Sequence, residues 1–280
     1  MWILTSLLGA LSFGTGTLLF KVNSLRRGPW GAFLSGLYLS GALGFAAVLS
    51  QERGWAVSLA LVSAGAIVGV GSAGGNWLFS KALALGPISL TSPLVNLYTV
   101  YVVLLAVFIY GERLTALEIV CIGLLFLSVS LLPVDPSESL SIRSRRWYPI
   151  VALAGLVYAL RNGGLKVVQE MGLSDTAVLF YAYLASFLWF MGQSLGEKGP
   201  QASSSARRLG LLAGFFSFGG MQLYAYSLRS GPASLVAPLF SANSLVVAVL
   251  SILLLGERLS RLQIVAILLF LIALVLLKAQ

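Results

Sequence analysis

The sequence predicts an all-α integral membrane protein in which ten transmembrane helices form two inverted-topology repeats of five helices each. Composition gives the first reason: 58% of the 280 residues are hydrophobic and only 10% are charged, whereas a soluble domain needs more polar surface to cover its core. Apolar runs of about 20 residues also recur along the chain, and each can cross a bilayer core of about 30 Å as a helix.

A sequence repeat predicts how these helices are organised. The pattern Gly-Pro…Pro…Gly-Glu-Arg-Leu occurs at 86–114 and again at 231–259, with a constant offset of 145 residues. Because the copies align without a gap, they indicate a duplicated structural unit. Each copy holds five helices, an odd number, so the second copy must enter the membrane from the opposite side.

The ten spans follow from the apolar runs and from the polar or Gly/Pro-rich connections between them. We predict them at about 2–20, 31–50, 56–80, 88–110, 114–132, 148–168, 175–195, 208–229, 233–255 and 259–278. Two connections are plainly hydrophilic, at 133–146 and at 196–208. The first divides the chain into a repeat at 1–133, a polar linker at 134–146 and a repeat at 147–280, which together make one domain.

Small residues recur at four-residue spacing on the third and eighth predicted spans. They are Gly65, Gly69, Gly74 and Gly75, and, 145 residues later, Gly210, Gly214, Gly219 and Gly220. Small residues let helix backbones approach closely in lipid, where packing drives association. We therefore predict close helix contacts here; the alternative is a seam along which the helices slide.

The repeated glycines and prolines predict turns or kinks beside the fourth and ninth spans. Gly86 and Gly231 precede these spans, and Pro93 and Pro238 lie about one turn inside them. A proline inside a helix removes a backbone donor and bends the helix unless neighbours compensate. Two interpretations remain open, a tolerated early-helix proline and a hinge that faces a cavity.

The acidic residues all lie at predicted helix ends or in connections. They are Glu52, Glu112, Glu118, Asp135, Glu138, Glu170, Asp175, Glu197 and Glu257. A proton-driven exporter of organic cations normally carries a buried carboxylate within the membrane, and this sequence offers none in mid-span. We interpret Glu112 and Glu257 as caps at helix starts, where a carboxylate complements the helix dipole.

Arg161 is the one charged residue predicted deep within a span. It follows Tyr148 by 13 residues, which is about 20 Å along a helix. An intramembrane arginine costs several kcal/mol or more unless it faces a cavity or a partner. Tyr158, Asn162 and Lys166 recur with it at three- and four-residue steps. Either backbone carbonyls or the interface satisfy Arg161, or it is a counter-ion for a carboxylate or phosphate on a solute.

Other polar and aromatic groups on the repeat-bearing spans could line a central cavity. The predicted substrate-binding residues are Arg161, Asn162, Tyr158, Asn76, Trp77, Asn96, Tyr98, Gln222, Tyr226 and Asn243. For any single Tyr or Trp, packing or interface anchoring is the alternative.

Several function classes are excluded on residue types. The chain has no histidine, and its one cysteine, Cys121, lies in an apolar run, so acid–base, metal and disulfide chemistry have almost nothing to work with. We predict no catalytic residue, no metal and no cofactor. The net charge of +9 is dispersed among connections, which makes nucleic acid a poor partner. The expected partners are a small solute and the lipid bilayer, and a homodimer is left open.

The chain resembles the two-repeat EamA type of the drug/metabolite transporter superfamily. The duplicated motif, the ten spans and the equal halves carry the resemblance over essentially the whole chain. It implies a ten-helix inverted-repeat carrier whose single transport domain encloses a central cavity for amino acids, metabolites or drugs.

The leading functional hypothesis is a carrier that moves a small metabolite with an anionic group, such as an amino acid, by alternating access as a uniporter or exchanger. One alternative is an exporter of hydrophobic or cationic compounds held by aromatic rings. Another is a non-transporting membrane assembly or sensor subunit. We expect a multi-pass protein of a bacterial cytoplasmic membrane.

The orientation of the termini is left open. Twelve Lys and Arg follow odd-numbered spans and five follow even-numbered spans, so the positive-inside rule places both termini outside the cytoplasm. The family resemblance implies cytoplasmic termini.

Overall fold

The computed structural model describes residues 1–86, 91, 94–96, 98–131, 142–197, 200–255 and 261–278. Within these ranges the chain forms eleven α-helices with defined bounds, residues 91 and 94–96 are also helical, and there is no strand. The helices are α1 (Trp2–Leu25), α2 (Trp30–Glu52), α3 (Leu59–Leu85), α4 (Tyr98–Phe108), α5 (Ala116–Leu131), α6 (Trp147–Glu170), α7 (Asp175–Ser194), α8 (Pro200–Ser230), α9 (Ala233–Ser241), α10 (Asn243–Leu255) and α11 (Arg261–Lys278). Among them, α1, α2, α3, α6 and α7 are long and apolar enough to cross a membrane by length and composition.

The connection predicted at 196–208 is mostly helical, which corrects the sequence interpretation. Helix α8 begins at Pro200 and continues without a break to Ser230. Proline is favoured at the first helical position because its missing N–H would have no partner there. The polar residues Ser203, Ser204 and Ser205 therefore lie in the first turns of a long helix. The predicted linker at 134–146 lies outside the described residues as far as residue 141.

Helices α2 and α7 are equivalent elements of the two repeats, and they run antiparallel. The ring of Tyr38 stacks on Phe190, with 5.6 Å between centroids, and Phe45 meets Tyr183 at 5.0 Å. Each pair is the other displaced by 145 residues. Because residue numbers rise along α2 as they fall along α7, the two helices point in opposite directions.

A helix cap between the repeats also indicates that α2 and α7 run antiparallel. The carboxylate of Glu197, just after the end of α7, accepts hydrogen bonds from the N–H groups of Gly31 at 2.7 Å and Ala32 at 2.9 Å. These groups lie in the first turn of α2, where a carboxylate satisfies free donors and the helix dipole. The end of α7 thus lies at the start of α2, as an inverted repeat requires.

Equivalent hydrogen bonds relate the interiors of the repeats. The Tyr38 hydroxyl lies 3.0 Å from Ser72 Oγ, and the Tyr183 hydroxyl lies 2.7 Å from Ser217 Oγ. Both bonds join the second helix of a repeat to its third helix, and they are 145 residues apart. The duplication seen in the sequence is therefore preserved in buried contacts.

The glycines of α3 and α8 allow close packing between the repeats. Helix α3 packs on α6 and α7, and α8 packs on α1 and α2. A Cβ at Gly214 would lie 2.1 Å from the carbonyl oxygen of Leu37, and one at the equivalent Gly69 would lie 3.1 Å from that of Ala182. These contacts support the close-packing interpretation of the small-residue pattern, and a sliding seam stays a prediction.

Candidate functional site

A cavity lies between the two repeats, deep among the long helices. It is lined by Phe13, Gly16, Thr17, Phe20, Leu37, Asn76, Phe79, Val95, Asn96, Tyr98, Tyr158, Arg161, Ala213, Ser217 and Asn243. Its volume is about 50 Å³, which is room for about four water molecules at about 10–15 Å³ each. The cavity is mixed in character, with aromatic walls and a small set of polar groups.

Arg161 supplies the positive charge of this cavity. Its side chain is 3% exposed, and its guanidinium carbon lies 4.7 Å from the ring centroid of Tyr158 and 5.2 Å from that of Phe13. Aromatic faces attract a cation at these distances. Within the described residues, its Nε has no hydrogen-bond partner and no carboxylate lines the cavity. Arg161 is therefore a buried cation without a counter-ion from the described part of the chain.

The two repeats pack in equivalent ways at this point, but only one of them supplies an arginine to the cavity. A Cβ at Gly71 would lie 2.5 Å from the backbone nitrogen of Arg161, so α3 lies directly on α6 at this point. The repeat equivalents of these two residues are Phe216 and Gly16. The frame is thus symmetric, whereas the charge is present in the second repeat alone.

A chain of hydrogen bonds holds the aromatic ring beneath Arg161. The Tyr158 hydroxyl donates to Asn76 Oδ1, and Asn76 Nδ2 donates to the Tyr38 hydroxyl at 2.7 Å. Tyr38 in turn bonds Ser72. Both ends of the Asn76 amide are therefore engaged within the protein, and the chain fixes the position of the Tyr158 ring.

A helix break reaches the cavity between α9 and α10, and it corrects the continuous span predicted at 233–255. The break lies at Ala242, four residues beyond the buried Pro238. Ser241 Oγ donates to the carbonyl of Pro238 at 2.6 Å, and Asn243 Nδ2 donates to that of Phe240 at 2.8 Å. Side chains that bond carbonyls of the preceding turn bend helices, so they account for the position of the break.

A comparison with the profiles of known protein families identifies the family of the chain. The profile of the EamA-like transporter family matches residues 1–133 and, a second time, residues 145–278. The chain belongs to the EamA-like transporter family. This membership confirms the resemblance found in the sequence and the all-α membrane fold with two repeats. At the coarse level it makes the protein a multi-pass membrane transporter of small solutes and not an enzyme.

Comparison with solved structures agrees on the fold. One match, described as a crystal structure of a protein, covers 98% of this chain and 98% of its own, with a TM-score of 0.76 and 16% sequence identity. At that identity the likeness concerns the fold alone. A comparison with curated proteins returned no match.

Six of the predicted substrate-binding residues line the cavity of this EamA-like transporter. They are Arg161, Tyr158, Asn76, Asn96, Tyr98 and Asn243. The other four, Asn162, Trp77, Gln222 and Tyr226, lie away from it.

The two amides outside the cavity form hydrogen bonds elsewhere, Asn162 within its own helix and Gln222 to the neighbouring α7. Asn162 Nδ2 donates to the carbonyl of Tyr158 at 3.1 Å, and Gln222 Nε2 donates to Thr176 Oγ1 at 3.2 Å. Successive helical residues point about 100° apart, so Asn162 does not share the direction of Arg161. The three- and four-residue pattern on α6 was therefore too coarse to separate them.

The two aromatic residues outside the cavity are paired with surface cations. Lys81 Nζ lies 3.5 Å from the ring centroid of Trp77, and the guanidinium of Arg229 lies 5.9 Å from that of Tyr226. Tyr226 is 38% exposed. These positions agree with the alternative of packing or interface anchoring.

The sequence interpretation missed the side of the cavity that α1 contributes. Phe13 and Gly16 line the cavity and are the repeat equivalents of Tyr158 and Arg161. Applying the 145-residue offset to the predicted residues of α6 would have found them. Ser217, whose equivalent is Ser72, was also missed, because a single serine in an apolar helix is only a weak indication of a polar site.

The predicted hinge residues have mixed placements. A Cβ at Gly86 would lie 2.5 Å from Trp147 Nε1, and one at the equivalent Gly231 would lie 2.7 Å from the ring of Trp2. Each glycine thus leaves room for a tryptophan that begins the first helix of a repeat. Pro93 lies outside the described residues, and a hinge role for any of these residues stays a prediction.

Glu112 caps a helix, but the helix belongs to the other repeat. Its carboxylate accepts hydrogen bonds from the N–H of Ala233 at 2.9 Å, from the N–H of Ser234 at 3.0 Å and from the Ser234 hydroxyl at 2.6 Å. Lys166 Nζ lies 3.5 Å away. The turn before it contains Gly111 at φ +66°, where glycine avoids the steric cost of a side chain.

The start of the helix that follows Glu112 has its own cap, which corrects the sequence interpretation. Thr115 and Glu118 bond each other's backbone N–H groups at 3.2 and 2.7 Å, the reciprocal arrangement of a capping box. The Gly-Glu-Arg-Leu motif of the first repeat therefore joins the two repeats at the start of α9.

Proposed function

We propose that this EamA-like transporter moves a small metabolite with an anionic group, such as an amino acid, by alternating access through the cavity between its repeats. Family membership supports a carrier of small solutes. The single observation that carries the finer proposal is Arg161, which is buried in the cavity and has an unpartnered Nε within the described residues.

The energetic argument starts from the cost of burying a charge. A buried cation without a partner is unfavourable by several kcal/mol, and an anionic solute offsets that cost with charge-assisted hydrogen bonds. Arginine suits this role because its planar donors match the two oxygens of a carboxylate. The described cavity lining holds no carboxylate that could carry a proton, which favours uniport or exchange.

The second candidate is a carrier of hydrophobic or cationic compounds. The aromatic walls favour it, because Phe13, Phe20 and Phe79 line the cavity and aromatic faces bind cations. However, a cationic solute in this small cavity would be repelled by the charge of Arg161 at short range. We therefore rank an anionic solute above a cationic one. A competition assay that compares a quaternary ammonium compound with an anionic solute tests this ranking.

Substitution of Arg161 tests the proposal in reconstituted vesicles. We expect Arg161→Ala to reduce uptake of an accepted radiolabelled amino acid or monocarboxylate by about 100-fold, since a lost charged hydrogen bond costs about 2–3 kcal/mol. Arg161→Lys should retain part of the uptake, because it keeps the charge without the planar donors.

The matched control is Arg145→Ala, which removes an exposed arginine outside the cavity. Uptake should stay at the wild-type level in this variant. Undiminished uptake in a folded Arg161→Ala protein would contradict the proposal. A wild-type protein that takes up neither amino acids nor monocarboxylates would favour the non-transporting alternative.

A further inference from the structure

The helix break places a second source of positive potential beside the cavity. Helix α10 begins at Asn243, which is 5% exposed and lines the cavity. Its regular ladder resumes with Leu245 and Val246, whose N–H groups both donate to the carbonyl of Ala242. The first N–H groups of a helix have no partner within that helix, and they carry about half a positive charge.

The negative end of the preceding helix is largely neutralised at the same break. The last carbonyls of α9, from Pro238, Leu239 and Phe240, accept hydrogen bonds from Ser241 Oγ, Ala242 N–H and Asn243 Nδ2 respectively. In contrast, the residue before α10 is Ala242, whose side chain has no oxygen that could cap the first N–H groups of α10. The break therefore leaves a net preference for an anion.

The burial of Arg161 is an independent observation that also favours an anionic ligand. It lines the same cavity as Asn243, is almost completely buried and leaves its Nε without a partner in the described chain. Asn96, also in the lining, donates to Ser244 Oγ and so connects the first turn of α10 to the other repeat. A buried guanidinium and a helix N-terminus thus face one small space.

We propose that the anionic group of the solute is a single carboxylate bound between the guanidinium of Arg161 and the first turn of α10, with a small apolar tail against Phe13, Phe20 and Phe79. This inference rests on the proposed function and names its substrate class. One full positive charge and one helix terminus match a monoanion, whereas a phosphate monoester brings up to two negative charges. An α-amino group is not required, because no carboxylate in the described lining would bind it.

Four probes with the same short tail test the substrate class on wild-type protein. They are valerate, norvaline, valeramide and butyl phosphate, and their dissociation constants are measured by thermal shift in detergent. We expect valerate and norvaline to bind within about tenfold of each other and valeramide to bind at least about 30-fold more weakly, because it lacks the charge. Butyl phosphate should bind more weakly than valerate. Equal binding of valeramide and valerate would overturn the inference.

The role of α10 is tested by placing a carboxylate at its first residue. Asn243→Asp should weaken valerate binding at least about tenfold more than Asn76→Asp, the same change at another cavity-lining asparagine that lies on α3. Equal losses in the two aspartate variants would overturn the assignment to α10.

The two proposals fail in different ways. Loss of valerate binding in Arg161→Ala together with full binding in Asn243→Asp would remove α10 and leave the proposed function intact. Full binding and uptake in Arg161→Ala would remove the proposed function itself. The comparison among the four probes needs no variant, so it decides the substrate class even if Asn243→Asp fails to fold.

Discussion

At the residue scale, the structure separates what helical spacing can predict from what it cannot. The depth of Arg161 follows from its distance along α6, and the structure places it in the cavity. The neighbouring Asn162 bonds within its own helix instead, because a rotation of about 100° per residue turns it away. Which side of a buried helix faces a cavity depends on its partners, and a single sequence does not contain that information.

Glu112 gives a prediction on pH at this scale. Burial raises the pKa of this carboxyl group, but hydrogen bonds from the Ser234 hydroxyl and from the N–H groups of Ser234 and Ala233, with Lys166 nearby, lower the pKa overall from its ordinary value of 4.5. A lowered pKa in the folded state means that the contribution to stability is present above about pH 4.5 and is lost as the pH falls through the lowered pKa.

We therefore expect the Tm of the wild-type protein to fall on acidification through that range. Glu112→Gln should lower the Tm near neutral pH and remove part of its dependence on pH below 4.5. Thermal unfolding in detergent at a series of pH values measures both effects. Glu52→Gln, at an exposed position, is the control. A pH profile of Glu112→Gln that parallels that of the wild type would contradict this account of the cap.

At the scale of elements, the glycines decide how closely the repeats approach. The four-residue spacing on α3 and α8 predicted close contacts, and the backbone of α2 does lie against Gly214. The break at Ala242 was less predictable. Pro238 was the visible signal, but hydrogen bonds from Ser241 and Asn243 place the break four residues later. Such competition between side chain and backbone depends on rotamers that the sequence leaves open.

Two glycine-to-alanine changes in α8 and α5 test the packing argument. Gly214→Ala should lower the free energy of unfolding by about 1–3 kcal/mol, because the new Cβ would overpack against the backbone of α2. The matched control is Gly123→Ala, since a Cβ at Gly123 meets nothing within 4 Å. It should be neutral or stabilising by up to about 1 kcal/mol, because alanine favours helix. Equal effects of the two changes in thermal unfolding would contradict the packing argument.

At the scale of the whole molecule, a symmetric frame carries an asymmetric site. The Tyr38–Ser72 and Tyr183–Ser217 bonds are repeat equivalents, and the antiparallel pairing of α2 and α7 follows the same symmetry. The site departs from it: the equivalent of Arg161 is Gly16. The symmetric arrangement of the helices could be predicted because the duplication is visible in the sequence. The shape of the cavity could not be predicted, because it depends on contacts between the two repeats at positions where their residues differ.

The central claim is that this cavity opens to the two sides of the membrane in turn. Ser217→Cys, in a Cys121→Ser background, places a lone thiol in the cavity at the cost of one hydroxyl. Glu52→Cys and Glu197→Cys, at repeat-equivalent helix ends, are the controls for sidedness. All three are labelled in sealed vesicles with a small membrane-impermeant thiol reagent applied from one side at a time.

We expect each control cysteine to react from one side only, and the two controls from opposite sides, because the repeats are inverted. The cysteine at position 217 should react from both sides, and an accepted solute should slow the reaction from each. Reaction of this cysteine from a single side, unchanged by any solute, would contradict a carrier that alternates between the two faces of the membrane.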